Sequence, residues 1–227
     1  PSRRSRAVSR ITGIFERRRA ENRRTLVCYL VGGDPSIDVT TPAMHALVAG
    51  GVDIIEVGMP FSDPEAEGPV IQAGHERALA AGTRLAQIFE AIERFRAEDD
   101  TTGIVLMGYM NLVERLGAEA FAERAAAAGV DGLILVNLPP EESAPLRAAF
   151  EPRGLDLILL VAPTTTDARA ELILGATSGF SYYVSLKGTT GAGHLDVDAV
   201  RPKIEALRAK TDLPLAVGFG ISDGASA

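Results

Sequence analysis

An α/β fold built on parallel strands is the architecture this sequence predicts, and three observations point to it. Apolar runs of strand length alternate with helix-period patterns along the chain, seven runs in all. Most of these runs are continuously apolar, as strands covered on both faces must be. With 227 residues, the chain is close to the size of a single α/β barrel. Two closures fit this alternation, a doubly wound sheet and a (β/α)8 barrel. No G-x-G-x-x-G follows the first run and no G-x-x-x-x-G-K-[ST] occurs, which weakens the nucleotide-binding doubly wound option.

The elements follow in order. An amphipathic helix from about Val8 to Glu21 presents Ile11, Ile14 and Phe15 as its buried stripe. Leu26 to Val31 reads as the first strand and ends at Gly32-Gly33-Asp34-Pro35. Ser36 can cap a helix running to Ala49, stopped by Gly50-Gly51. Val52 to Gly58 is the second strand. Pro69 starts an extra helix to Ala80, and Thr83 caps another to about Ala97. Gly103 to Met107 is a strand, and Ala118 to Ala128 its helix. Asp131 to Val136 is the next strand, after which Pro139-Pro140-Glu141-Glu142 opens a helix with acids that suit its dipole. Asp156 to Val161, Phe180 to Ser185 and Leu213 to Gly218 are the remaining strands. Helices over Asp167 to Leu174 and Asp196 to Ala209 separate them. The expectation is a single (β/α)8 barrel domain over residues 1–227, with an extra N-terminal helix and an extra helix after the second strand. A barrel needs eight units, and the pattern contains seven, so the eighth strand–helix unit is expected to be missing at the C-terminal end.

Composition narrows the function classes. The chain is 46% hydrophobic and 23% charged, ordinary for a globular protein with a large core. A net charge of −7 argues against nucleic acid and anionic membranes as partners. Cys28 is the single cysteine, so no disulfide can form within the chain and Cys-ligated zinc is implausible. That fits a cytoplasmic protein. Nine arginines between Arg3 and Arg24 make a basic N-terminal patch that resembles a transit peptide only weakly. A solvated helix is the simpler reading. No apolar run is long enough to span a membrane.

Chemistry is expected at the C-terminal ends of the strands, where barrels place their sites. Glu56 stands there among Ile54, Ile55, Val57 and Gly58, so a buried charge needs a reason. Glu67 follows eleven residues later, on a loop of Gly, Pro, Ser, Asp and Glu. Two carboxylates in unlike environments can divide acid and base roles. Gly188 to Gly193 and Gly218-Phe219-Gly220 follow the sixth and seventh strands, and their backbone amides suit a phosphate. His45, His75 and His194 are scattered, without H-E-x-x-H, and no metal is expected. His45 and His75 read best as surface helix residues. Ser62 and Ser185 lack a His partner in sequence context. Residue chemistry therefore reaches a phosphate-binding α/β barrel with carboxylate acid–base chemistry and an apolar pocket.

The segment Glu-Val-Gly-Met-Pro-Phe-Ser-Asp-Pro-Glu-Ala-Glu-Gly-Pro-Val-Ile-Gln, from Glu56 to Gln72, closely resembles the tryptophan synthase α-subunit family. That family carries a strand-end glutamate followed by P-F-S-D-P-x-A-D-G-P-x-I-Q. The resemblance extends through Gly33-Asp34-Pro35, Met107-Gly108-Tyr109-Met110-Asn111, Leu138-Pro139-Pro140-Glu141-Glu142, Tyr182-Tyr183-Val184-Ser185, Gly188 to Gly191 and Gly218-Phe219-Gly220-Ile221-Ser222. It implies a carbon–carbon lyase that cleaves indole-3-glycerol phosphate into indole and glyceraldehyde 3-phosphate without a cofactor of its own.

By the same resemblance, Glu56 is the general acid–base and Glu67 the carboxylate that holds the indole N–H. Tyr182 matches the family's pocket tyrosine, grouped with the two carboxylates as catalytic. Tyr29, Met107, Ile134, Val136, Leu160 and Phe219 match the apolar walls around indole. Thr190 matches the threonine of the closing loop, and Gly191 and Gly220 match phosphate-binding backbone positions. A pyridoxal-phosphate β subunit is implied as partner in an αββα heterotetramer, with indole passing between the subunits. Asp63, Pro60, Asn111 and Pro139 match the docking side. Glu67 departs from the family's usual Asp and extends the carboxylate by one methylene. Glu65, Asn137, Leu186, Lys187 and Thr189 also depart from the commonest pattern. Two further readings stay open: a stand-alone indole-3-glycerol phosphate lyase, and a non-catalytic activating partner of the β subunit.

Overall fold

The computed structural model describes residues 9–184 and 197–218. Its strands are β1 (Val27–Val31), β2 (Ile54–Gly58), β3 (Gly103–Gly108), β4 (Gly132–Leu135), β5 (Asp156–Ile158), β6 (Leu160–Val161), β7 (Ser181–Val184) and β8 (Leu215–Gly218). Every described pairing is parallel, and the order runs β1-β2-β3-β4-β5 and then β6-β7-β8. A doubly wound sheet would reverse its strand order at a switch point; a barrel simply adds each strand beside the last. The sequential order therefore selects the barrel over the doubly wound closure.

The expected strand Asp156 to Val161 is divided. β5 pairs with β4 and β6 pairs with β7, with Leu159 between the two ladders. One strand thus changes neighbour halfway along its length. The helices are α1 (Arg10–Ala20), α2 (Ile37–Ala49), α3 (Pro69–Ala80), α4 (Leu85–Arg96), α5 (Met110–Glu114), α6 (Ala118–Ala128), α7 (Ala144–Phe150), α8 (Asp167–Ala176) and α9 (Val197–Arg208). The short α5 has no counterpart in the sequence reading, because five residues carry too little periodicity. Thr83 does not cap α4, which has Arg84 at its N-cap. Thr83 is buried instead, with its side chain packed over Gly33. The Pro-Pro-Glu-Glu stretch forms a 3-10 turn, Pro140–Glu142, before α7.

Side-chain alternation along the strands produces two cores. Ile55, Val57, Ile104, Leu106, Leu133 and Leu135 point outward and meet the helices in one large cluster. Ile54, Val105, Ile134, Ile158 and Phe180 point inward and form a second cluster with Ile11 and Ile14 of α1. Each such fully buried Ile or Phe stabilises the fold by about 1.5–3 kcal/mol. Phe15 is half-buried and tilts against Phe180 with ring centroids 5.6 Å apart.

The N-terminal end of the barrel is closed by α1. Ser9 accepts the Thr12 N–H as N-cap and donates to Asp156 Oδ2 at 2.7 Å. Arg18 Nε donates to Asp53 Oδ1 at 2.7 Å, and Arg10 is paired with Asp131. Three acids at or beside the starts of β2, β4 and β5 therefore anchor one helix. That plug leaves the opposite, C-terminal end as the open mouth.

Candidate active site

Parallel register fixes which side chains share a level inside the barrel. Tyr29, Glu56 and Val105 are mutual partners across β1, β2 and β3, so their side chains point to the same side. One level further toward the mouth, Val31, Gly58 and Met107 align, with Met107 opposite Ile134. On the other sheet Leu160, Tyr182 and Ala216 align. Six of the expected pocket residues, Tyr29, Met107, Ile134, Leu160, Tyr182 and Glu56, thus face the barrel interior.

Glu56 is 4% exposed, and its Oε1 has no hydrogen-bond partner among the described residues. Burial pushes its carboxyl up to about 7. Burial also raises the Tyr182 phenol, and the field of Glu56 raises it further, placing the two groups within electrostatic reach. The Tyr29 phenol is raised by burial first, then by Glu67 and Glu56. Tyr29 therefore stands in the field of both carboxylates. Glycines make room for these rings. A Cβ at Gly58 would lie 2.6 Å from Tyr29 Cζ, and one at Gly218 would collide with the Tyr182 ring.

Glu67 is 2% exposed and takes a short hydrogen bond from the Tyr109 hydroxyl. Burial raises the Glu67 carboxyl, while the Tyr109 bond and backbone N–H groups oppose that rise. Tyr109 Oη also accepts the Ala66 N–H at 3.0 Å, and its ring stacks on Phe61 with centroids 4.9 Å apart. Tyr109 is only 1% exposed. The sequence analysis names it only within the resembling segment Met107 to Asn111, with no role. Its link to Glu67 spans 42 residues, and no local pattern carries that signal.

The surface assignment of His75 is overturned. It is 1% exposed, accepts the Phe61 N–H at Nδ1 (3.1 Å), and lies 3.2 Å from Tyr29 Oη through Nε2. The loop after β2 packs on this face of α3, with the Phe61 N–H on His75 and the Glu67 carbonyl on Gln72. His45 is half-buried against Phe95, with centroids 4.8 Å apart. Among the described residues, no group of three His, Cys, Asp or Glu could hold a metal ion.

On the outer rim, Asp63, Asn111 and Pro139 are exposed, whereas Pro60 is buried. The sequence reading placed all four together. Pro60 lies two residues beyond the end of β2, next to the buried Met59. Asp63 accepts from Ser62 Oγ at 2.5 Å. Asn137 takes the Met110 N–H at 2.8 Å and so caps α5 beside Asn111. Val136, Leu160 and Pro139 line one open hollow of about 420 Å3, with Arg169 on its wall. The expected indole wall and the expected docking face are therefore contiguous there. Thr190, Gly191, Phe219 and Gly220 lie outside the described residues.

The arrangement joins a buried, unpartnered acid, a second held carboxyl and an apolar interior at the barrel mouth. Comparisons with known proteins identify the family. The family profile described as "Tryptophan synthase alpha chain" matches residues 15–227. The tryptophan synthase alpha chain of Thioalkalivibrio sulfidiphilus is 56% identical over 220 residues, covering 97% of this chain and 83% of the relative. That of Alkalilimnicola ehrlichii is 54% identical over 209 residues, covering 92% and 76%. Among solved structures, tryptophan synthase subunit alpha from Legionella pneumophila str. Paris superposes with a TM-score of 0.86 at 40% identity, over 95% of this chain and 79% of that one. A Mycobacterium tuberculosis tryptophan synthase chain gives 0.88 at 40% identity, over 95% and 82%. Profile, relatives and barrel coincide, and the chain belongs to the tryptophan synthase alpha chain family.

Proposed function

We propose that this chain cleaves indole-3-glycerol phosphate to indole and glyceraldehyde 3-phosphate, as the α component of tryptophan synthesis. One observation carries the reading: Glu56 sits inside the barrel mouth, unpartnered, with its carboxyl at about 7. A group near neutrality can be acid in one step and base in the next at working pH. Glu56 as acid places a proton on indole C3. The hydroxyl on the adjoining glycerol carbon then gives up its proton to the Glu56 carboxylate. The C–C bond breaks, its electron pair restores the indole ring, and the hydroxyl carbon becomes the aldehyde. One proton leaves Glu56 and one returns, so no cofactor is needed.

Glu67 is proposed to hold the indole N–H and to stabilise the positive charge that C3 protonation puts on the ring. A contact that strengthens as charge develops is one that speeds the chemical step. Tyr182 faces Glu56 and would restrict the substrate beside it. Tyr29, Met107, Ile134, Val136, Leu160 and Phe219 are proposed as the apolar wall, and Thr190, Gly191 and Gly220 as the loop and phosphate contacts.

A pyridoxal-phosphate β subunit is the proposed partner, in an αββα assembly in the cytoplasm, with Asp63, Asn111 and Pro139 on the docking side. Their shared exposure supports that reading, with Pro139 on the rim of the 420 Å3 hollow. The test is indole release from indole-3-glycerol phosphate by the purified chain, alone and with a β subunit added. Release that rises on addition is expected. No release under either condition refutes the enzyme reading, and full activity alone points to a stand-alone lyase.

A further inference from the structure

The loop between β2 and α3 carries Glu67, and α3 itself holds that loop at both ends. Gln72 Nε2 donates to the Glu67 carbonyl at 2.8 Å. Three residues on, His75 takes the Phe61 N–H at Nδ1 and meets Tyr29 Oη at Nε2. A neutral imidazole has one donor and one acceptor nitrogen. Since Nδ1 accepts from an amide, the proton is on Nε2, and Nε2–H donates to Tyr29. Burial lowers the pKa of His75 and Asp34 opposes this weakly, which favours the neutral ring the two bonds require. Asp34 is itself held by Arg77, at 2.7 and 2.8 Å.

Both partners of His75 lead to the carboxylates. Phe61 stacks on Tyr109, which donates to Glu67. Tyr29 lies at the level of Glu56 and feels both acids. We propose that His75 is a positioning residue that fixes the Glu67 loop and the Tyr29 wall to one helix, setting the second carboxyl relative to Glu56. This deepens the lyase reading and rests on it.

The side chains available separate the two bonds. In His75→Asn the amide oxygen replaces Nδ1 and keeps the Phe61 bond while losing Tyr29. In His75→Leu both are lost. The measurements are kcat and KM for indole release and backbone amide exchange over residues 59–68, with melting temperatures alongside. Misplacement of a reacting group by about 1 Å costs on the order of a hundredfold. The expected result for His75→Leu is a kcat lower by about ten- to a hundredfold, a KM changed by less than about threefold, and faster exchange over the loop. His75→Asn is expected to stay within about threefold of the parent and to keep loop protection. Leu at parental turnover and exchange overturns the proposal, as do equal losses in Asn and Leu. If His75→Leu fails to fold, His75→Gln replaces it, keeping a donor toward Tyr29 and losing the Phe61 acceptor; the same losses relative to Asn are expected. A parent chain that releases no indole refutes the lyase reading, and the exchange comparison then decides the clamp alone.

Discussion

Replacing Glu56 by Gln tests the central acid through stability as well as activity. The native carboxyl stands at about 7, against an ordinary 4.5, because burial disfavours the charged form. A folded-state pKa above the unfolded value means that the native chain binds more protons between those two points. Stability is therefore highest below about 4.5 and falls as pH rises through about 7. At about 1.4 kcal/mol per pH unit, the interval corresponds to about 3 kcal/mol, fully lost above pH 7. Glu56 is 4% exposed, so solvent screening removes little of this. Gln cannot ionise, and its amide adds an offset that does not vary with pH. The stability advantage of Glu56→Gln over the parent should therefore grow by about 3 kcal/mol between pH 4.5 and pH 8. With m near 3 kcal/mol/M, that moves the urea midpoint by about 1 M. Equilibrium urea unfolding across that pH range measures the gap, and indole release should be abolished in the same variant. Parallel stability profiles would refute the buried-acid assignment, and near-parental turnover would refute its role in proton transfer.

Other expectations follow from the same geometry. Tyr109→Phe removes the donor to Glu67, a bond to a charged group of about 1.5–3 kcal/mol, and should lower kcat about tenfold or more, read by indole release. Asp131→Asn breaks a buried site held by Arg10, Arg96 and the Ile104 N–H, and should cost about 3–5 kcal/mol in urea unfolding. Gly58→Ala drives a Cβ to 2.6 Å from the Tyr29 ring, and should cost about 1–3 kcal/mol while raising KM.

What sequence reading could reach is set by range. Continuous apolar runs identified every strand region among the described residues, because parallel strands buried on both faces leave that record locally. Ala118–Ala128 was legible to the residue, with Gly129 to stop it. The division of the fifth run at Leu159 was not, since both halves are apolar and only the choice of neighbouring strand separates them. The helix start near Thr83 was misplaced because Gly33, fifty residues earlier, claims that side chain.

The sequence by itself determined the alternation of strands and helices, the placement of Glu56 on the second strand and the acidic loop that follows it. Tertiary structure alone decided how those groups are held. It buried His75 between Tyr29 and Phe61, set Tyr109 against Glu67, and closed the barrel floor with Arg10 on Asp131. These pairs are separated by 46, 14, 42 and 121 residues. Periodicity records which way a side chain faces within its own element. It holds no record of which distant donor will meet that side chain, since that is settled only when the strands and helices pack.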